Sequence, residues 1–192
     1  MNEMFRPPQL VYRRPGTTQA GDGLPRRKWS ADEIQRMLEA GIVEHGERFE
    51  LIGGDLVAMA AKGNQHEELK FLLCDFWVRS RAPEISVAQE VPLRLSENDV
   101  PEPDFISFPS SIRLRNVRGD TVLLVVEVAD SSLKHDKMIK GRQYASFGVR
   151  EYWVIDAVKL VTTVHLDPRG TSYASVKDYK ARKLLTPHLA PS

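Results

Sequence analysis

The stretch Thr121-Val-Leu-Leu-Val-Val-Glu-Val-Ala129 holds a single charged residue, Glu127, in a run of apolar and mostly β-branched side chains. Such a run is typical of a strand that is buried on both faces of a sheet. Burying an unpaired carboxylate in that environment costs several kcal/mol or more. The sequence therefore predicts that the fold supplies Glu127 with a metal ion, a cationic side chain or a proton.

A second carboxylate favours the metal ion. Asp104 follows Pro103 and heads the apolar run 105–108, which predicts a neighbouring strand that can bring Asp104 beside Glu127. Mg²⁺ and Mn²⁺ suit such oxygen ligands, because they typically take one or two carboxylates and leave positions for a substrate phosphate and an attacking water. Zinc fits less well, since none of the five histidines joins a cysteine pair or has the spacing of a helical zinc site.

A lysine on the following helix completes the pattern. A helix is predicted over residues 133–147, where Asp136, Lys140 and Tyr144 are spaced at i, i+4 and i+8 and therefore share one face. The turn before this helix is short enough to fold that face back toward Glu127. Lys140 can then orient the nucleophile, lower its pKa or neutralise charge in the transition state, and Tyr144 can close the pocket. Two carboxylates and a lysine indicate cation-assisted phosphodiester chemistry.

The rest of the chain predicts helices and strands around this centre. They are a capped helix over 30–41, strands over 49–52 and 56–59 joined by a glycine turn, a helix over 66–79, a strand over 85–95, and strands over 151–156, 160–166 and 172–176. The strand over 85–95 is interrupted at Pro92, which indicates either an edge position or a bulge. Strands and helices interleave without strict βαβ repetition, so the predicted fold is α/β (α+β), a mixed sheet flanked by helices.

One domain is predicted over residues 29–178, with a flexible N-terminal arm over 1–28 and a C-terminal tail over 179–192. The arm is rich in proline and glycine, which discourage both helix and sheet. In the helix over 66–79, apolar residues at helical spacing predict a stripe that faces the core. That stripe comprises Leu69, Leu72, Leu73, Phe76 and Trp77.

Composition narrows the setting. The 27 basic and 26 acidic residues give a net charge of +1, so any surface that binds nucleic acid must be local. The one cysteine, Cys74, cannot form an internal disulfide, which favours a reducing, cytoplasmic setting. No apolar run approaches about 18 residues, and polar residues and prolines stand where a signal peptide has its apolar core. We therefore expect a cytoplasmic protein without a membrane segment.

The order of these residues resembles the core of PD-(D/E)xK nucleases, with Pro103-Asp104 followed by Glu127-Val128. That core usually has a lysine two positions after the second acid, where this chain has Ala129. A lysine displaced onto the following helix, as Lys140 is, is similar to the pattern of the Uma-two family of bacterial restriction-endonuclease-like proteins. The resemblance covers roughly residues 30–176, through segments 49–56, 64–66, 101–104, 125–128, 136–144 and 148–156.

The resemblance implies an active site made of Glu50, Asp104, Glu127 and Lys140. It implies supporting roles for His66, Asp136 and Tyr144, and metal ligation by Asp104, Glu127 and Glu50. The family's hairpin often has an acid where this chain has Gly54, a departure that spares the four candidates.

The leading hypothesis is a divalent-metal-dependent endonuclease that acts on DNA. Asp104 and Glu127 would hold Mg²⁺ or Mn²⁺, Glu50 would assist the metal or its water, and Lys140 would position the nucleophile. A homodimer would suit a double-strand cutter, which needs two sites.

Two other functions stay open. One is a catalytically inactive nuclease-fold module for nucleic-acid binding or protein assembly, in which Glu127 and Lys140 form a metal-free structural salt bridge. Ala129 in place of lysine and the near-neutral charge motivate it. The other is a metal-dependent hydrolase of a different phosphate ester.

Overall fold

In the computed structural model of this chain, the described residues are 17–19, 23–43, 46–59 and 62–189. The strands are β1 (Thr17–Gln19), β2 (Pro25–Arg27), β3 (Phe49–Ile52), β4 (Asp55–Ala58), β5 (Ile85–Gln89), β6 (Phe105–Pro109), β7 (Leu124–Ala129), β8 (Glu151–Asp156), β9 (Val161–Arg169) and β10 (Ser172–Lys180). The helices are α1 (Ala31–Glu39), α2 (Asn64–Ser80), a 3₁₀ turn (Leu114–Asn116), α3 (Leu133–His135), a π turn (Asp136–Lys140) and α4 (Gly141–Ser146).

Six strands form the central sheet in the order β10-β9-β8-β7-β6-β5. β7 and β8 run parallel, and the other neighbouring pairs run antiparallel. All six residues of β7 are buried, as the apolar run around Glu127 predicts. β5 is the edge strand, but it ends at Gln89, before Pro92, because Glu90 leaves the strand with a φ of 47°. The predicted mixed sheet flanked by helices is confirmed.

Each face of the sheet carries its own apolar core, and the two-residue period of β7 divides its side chains between them. Val125 and Ala129 face the core that also contains Tyr144 and Tyr152. Val126 and Val128 face the opposite core, which packs against α2. Glu127 has the same parity as Val125 and Ala129, so it points toward α3, the π turn and α4.

Helix α1 and the β3–β4 hairpin form as predicted. Ser30 accepts a hydrogen bond from the backbone N–H of Glu33, and the Glu33 side chain accepts from the backbone of Ser30, which is a capping box. Helix α1 ends at Glu39, and Gly41 follows with a φ of 67°. β3 and β4 pair antiparallel around Gly53 and Gly54, which both have positive φ.

The β3–β4 hairpin is attached to the segment that precedes β6. Leu51 and Val100 form an isolated antiparallel bridge, with N–O distances of 3.3 and 2.7 Å. Because Leu51 is the neighbour of Glu50, this bridge brings the Glu50 carboxylate to the start of β6, close to Asp104.

The predicted helix over 133–147 is interrupted. Asp136–Lys140 form a π turn between the short helices α3 and α4. Hydrogen bonds from i to i+5 make such a turn one residue longer than an α-helical turn, and π turns are frequent at functional sites. Asp136, Lys140 and Tyr144 are nevertheless all buried on the side that faces the sheet.

The predicted core stripe of α2 is only partly correct. Leu69, Leu73 and Trp77 pack against the core, and Trp77 meets Phe105 edge to face at 5.0 Å. Leu72 and Phe76 are 56% and 53% exposed. They precede Leu73 and Trp77 by one position each, so they are rotated about 100° away from the sheet. Phe71 and Val78 are exposed as well, which leaves an apolar outer face on α2.

Parts of the predicted arm and of the predicted tail make contacts in the structure. β1 pairs with β2 inside the predicted arm, while residues 1–16 and 20–22 lie outside the described residues. At the other end β10 runs to Lys180, and Leu185 packs against the core beneath α2. The backbone N–H groups of His188 and Leu189 donate to Glu151 Oε2 at 2.8 and 3.3 Å. None of the described helices is both long enough and apolar enough to cross a membrane.

Candidate functional site

Asp104 and Glu127 lie side by side, as the sequence predicts. The antiparallel pairing of β6 and β7 sets Phe105 opposite Val126, so Asp104 stands opposite Glu127 one step further along. The backbone N–H of Val128 donates to Asp104 Oδ2 at 2.8 Å. Both carboxylates are buried, each with 4% of its surface exposed.

Lys140 bridges two of the predicted acids. Its Nζ lies 3.0 Å from Oε1 of Glu127 and 3.0 Å from Oε1 of Glu50. Tyr144 donates its hydroxyl to the same Glu127 oxygen at 2.8 Å. Glu127 therefore has the cationic partner that its burial requires.

Asp104 has its own set of partners. His66, at the start of α2, places Nε2 3.0 Å from Asp104 Oδ2. The Nζ of Lys62 lies 3.0 Å from Asp104 Oδ1 and also contacts Glu90 Oε1. Glu90 in turn accepts from Lys70 at 2.6 Å.

Sequence reasoning missed Lys62, Lys70 and Glu90. Lys62 lies in the connection before α2, where no periodicity marks an inward-facing position. The available signals are weak: Lys62 and Lys70 lie four residues before and after His66. Glu90 is separated from them by a helix and a strand, so only the folded chain brings it to Lys62.

One open cleft of about 300 Å³ brings together Asp104, Glu127 and most of their partners. Its polar and charged lining residues are Glu50, Lys62, His66, Glu102, Asp104, Glu127, Asp130, Ser131, Ser132, His135, Asp136 and Lys140. Tyr144 does not line the cleft: it is fully buried behind Glu127, so the prediction that it closes the pocket is wrong. The tyrosine instead holds the Glu127 carboxylate from the core side.

The carboxylates of the cleft have opposite acid–base properties. Burial raises the pKa of Glu127, and the Asp104, Asp136 and Glu50 carboxylates add to this rise; against the opposing charge of Lys140, the pKa reaches about 8. For Asp104 burial also acts upward, but the hydrogen bond from His66 and the charge of Lys62 outweigh it and lower the pKa to about 2. At neutral pH the Asp104 side chain is therefore ionised, whereas Glu127 is the carboxyl group that retains a proton more readily.

Lys140 stays protonated. Burial lowers the pKa of its ammonium, but the surrounding carboxylates of Glu127, Glu50 and Asp136 outweigh burial and raise that pKa above its ordinary value. A lysine in this state supplies a positive charge and hydrogen bonds, and it does not act as a general base.

A family comparison identifies the chain. Residues 31–191 match the model of the Uma2 family, which is described as "Putative restriction endonuclease". The chain belongs to the Uma2 family. The resemblance drawn from the acids, the displaced lysine and their order is therefore confirmed, and the match extends past the predicted domain end at residue 178 into the segment that packs beneath α2.

The fold of this Uma2 chain is also found in a solved structure from Anabaena variabilis, described as "a putative nuclease belonging to DUF820". The two chains share 15% sequence identity and superpose with a TM-score of 0.59, over 82% of this chain and 88% of the other. At this identity the likeness establishes a shared fold. A search of the curated proteins found no match.

The Uma2 cleft suits a divalent cation in its donor chemistry. Six carboxylates line it against two lysines and two histidines, and this excess of negative charge is part of what raises the pKa of Glu127. Within the described ranges, however, no group of three or more His, Cys, Asp or Glu side chains is arranged to hold a metal. Two carboxylates with water suffice for Mg²⁺ or Mn²⁺, which seldom use an all-protein cage.

Proposed function

We propose that this Uma2 protein is an endonuclease that hydrolyses phosphodiester bonds in DNA with the help of Mg²⁺ or Mn²⁺. The observation that carries the proposal is the convergence of Asp104, Glu127 and Lys140 from three separate elements on one open cleft. Family membership supports the reaction class, since the family model is described as "Putative restriction endonuclease". The lone cysteine adds a cytoplasmic location.

In this proposal Asp104 and Glu127 hold the cation, with Glu50 beside them. The cation would act as a Lewis acid on a phosphate oxygen and ease deprotonation of the attacking water. An acidic cleft repels a phosphate group, so substrate entry would depend on the bound cation. With a bound cation, a chain of nearly neutral charge could act on a polyanion.

The protein's own side chains have distinct tasks. Lys140 donates hydrogen bonds from a permanently charged ammonium, which orients the nucleophile and offsets charge developing on the phosphate. His66 and the backbone N–H of Val128 fix Asp104 Oδ2 and so orient this carboxylate. Tyr144 and Lys140 fix Oε1 of Glu127 in the same way.

The test is a cleavage assay on supercoiled plasmid, linear duplex and single-stranded DNA, with Mg²⁺, Mn²⁺ or EDTA. Wild type should cleave at least one substrate with a divalent cation and none in EDTA. Asp104→Asn and Lys140→Ala should each abolish cleavage, whereas Asp120→Asn, which alters an exposed carboxylate outside the cleft, should not. Circular dichroism checks folding, and Lys140→Arg retains the buried charge if Lys140→Ala unfolds.

Absence of cleavage by well-folded wild type on every DNA and RNA substrate would reject the nuclease. Undiminished cleavage by purified Asp104→Asn would reject the assigned site. A parallel panel of small phosphate esters separates a nuclease from a hydrolase of another phosphate ester.

A second candidate function has one observation in its favour. Asp104 and Glu127 are each already paired with a lysine, which is what a nuclease fold kept only for binding or assembly would need. In such a module, replacing Glu127 and Lys140 together by apolar residues should leave stability unchanged or higher. A double variant that folds normally but no longer binds Mn²⁺ would count against it.

A further inference from the structure

We infer that Lys62 is a displaceable counterion, which occupies Asp104 until a divalent cation binds there and then remains on Glu90. This inference rests on the proposed function, because it concerns how the chain manages the cation site. It assigns to Lys62 a role in controlling metal affinity that is separate from the role of Lys140.

The two carboxylate oxygens of Asp104 are held by different kinds of group. Its Oδ2 is held by two groups on regular elements, His66 of α2 and the backbone N–H of Val128 on β7. Its Oδ1 is held by Lys62 alone among the described contacts, at 3.0 Å. A cation that binds Asp104 can take Oδ1 only if the Lys62 ammonium moves.

Glu90 offers a place for the displaced Lys62 ammonium. Lys62 Nζ already contacts Glu90 Oε1 as well as Asp104 Oδ1. Glu90 is fixed beside Asp104, since its backbone N–H donates to the Asp104 carbonyl at 3.2 Å. Moving from one carboxylate to the other therefore keeps Lys62 ion-paired throughout.

Lys62 is less tightly enclosed than Lys140. The Lys62 side chain is 14% exposed and lines the open cleft from the connection before α2, where Gly63 follows it. Lys140 is 7% exposed, sits on the π turn and is held by two buried carboxylates. A cation competes with Lys62 at the cost of one shared contact, and with Lys140 at the cost of a buried ion-pair network.

The experiment is a calorimetric titration with Mn²⁺ of wild type, Lys62→Met, Lys62→Arg and Lys70→Met. Lys70→Met is the matched control, because Lys70 shares Glu90 with Lys62 but contacts Glu67 in place of Asp104. We expect Lys62→Met to bind Mn²⁺ about tenfold more tightly than wild type, the effect of about 1.4 kcal/mol. Lys62→Arg and Lys70→Met should stay within about twofold of wild type.

The outcomes separate this inference from the proposed function. If wild type binds Mn²⁺ and loses binding in Asp104→Asn, but Lys62→Met binds no more tightly, the cation site stands and the displacement is rejected. An equal gain in Lys70→Met would also reject it, because the effect would then be general charge. If neither wild type nor Lys62→Met binds, the metal site itself falls and the displacement with it. Thermal melts of each variant confirm folding, and Lys62→Gln replaces Lys62→Met if that variant unfolds.

Discussion

The two lysines of the cleft neutralise carboxylates in different ways. Lys140 joins Glu127 and Glu50 in the interior and is tied to the core through the neighbouring Tyr144 contact. Lys62 divides its charge between buried Asp104 and the partly exposed Glu90 at the edge of the cleft. One half of the cleft, around Lys140, is therefore part of the folded core. The other half, around Lys62, lies at the edge of the cleft, and we expect it to rearrange without unfolding the protein.

Removing each lysine in turn should give the largest difference between the two halves. Lys140→Met removes the cation that the buried Glu127 and Glu50 side chains share, so it should lower the free energy of unfolding by about 3–5 kcal/mol. Lys62→Met should lower it by about 1 kcal/mol or less, because Glu90 is open to water and His66 still contacts Asp104. Urea denaturation of the metal-free proteins measures both. Equal losses in the two variants would contradict the division into a core half and a mobile half.

The stability contributions of the two halves should also change with pH in opposite directions. In the core half the titrating group is Glu127. Its folded-state pKa of about 8 exceeds the ordinary value of 4.5, so the folded protein retains a proton that the unfolded chain loses. This group therefore adds a few kcal/mol to the free energy of unfolding below about pH 4.5, and this contribution is lost as the pH rises toward 8. Glu127→Gln cannot ionise, so its melting temperature in EDTA should gain on that of wild type between pH 5 and 8. A constant difference across that range would show that Glu127 is not protonated in the folded state.

Asp104 should behave in the reverse sense. Its pKa is lowered from 3.8 to about 2, so the ionised folded form is stabilised above pH 3.8 and this stability is lost as pH falls toward 2. The contribution is about 2 kcal/mol, since one pKa unit corresponds to about 1.4 kcal/mol. The melting temperature of Asp104→Asn should therefore lie below that of wild type at pH 6 and approach it at pH 3. Parallel melting curves for the two proteins would argue against ionised Asp104 as a source of stability.

We expect the smallest effect from removing Lys70, which contacts Glu90 at the edge of the cleft but does not contact Asp104. Its partners Glu67 and Glu90 are 53% and 36% exposed, so water screens both ion pairs. Lys70→Met should change the free energy of unfolding by less than about 1 kcal/mol. Urea denaturation provides the value, and a loss of several kcal/mol would place Lys70 in the core network instead.

The core half of the cleft was predictable from the sequence. A carboxylate inside an all-apolar strand requires a partner, and helical spacing supplied Lys140 as a candidate. Two apolar runs, 105–108 and 121–129, likewise predicted β6 and β7 as neighbouring strands, and Ser30 with Glu33 predicted the start of α1. In each case the signal lies within a short segment, where local geometry decides the outcome.

The edge half was not predictable, because its contacts join segments without local patterns. Nothing in the order of residues connects Lys62 with Glu90, since the pair forms only when α2 packs beside β5. Tertiary packing also decided which apolar residues of α2 are buried, and it left Leu72 and Phe76 exposed. The π turn belongs to the same class, since spacing alone favours a regular helix there.

That π turn lets the segment between β7 and β8 carry one extra residue without displacing the cleft. Deleting one residue with a half-exposed side chain, Met138 or Ile139, would let an α-helix run uninterrupted from α3 into α4. Because the π turn holds one residue more than an α-helical turn, its loss would leave α3 and α4 in nearly the same relative orientation, with Asp136 three residues before Lys140 and still on the same face. Two chains could thus differ by a single gap in their alignment here and still assemble the same cleft.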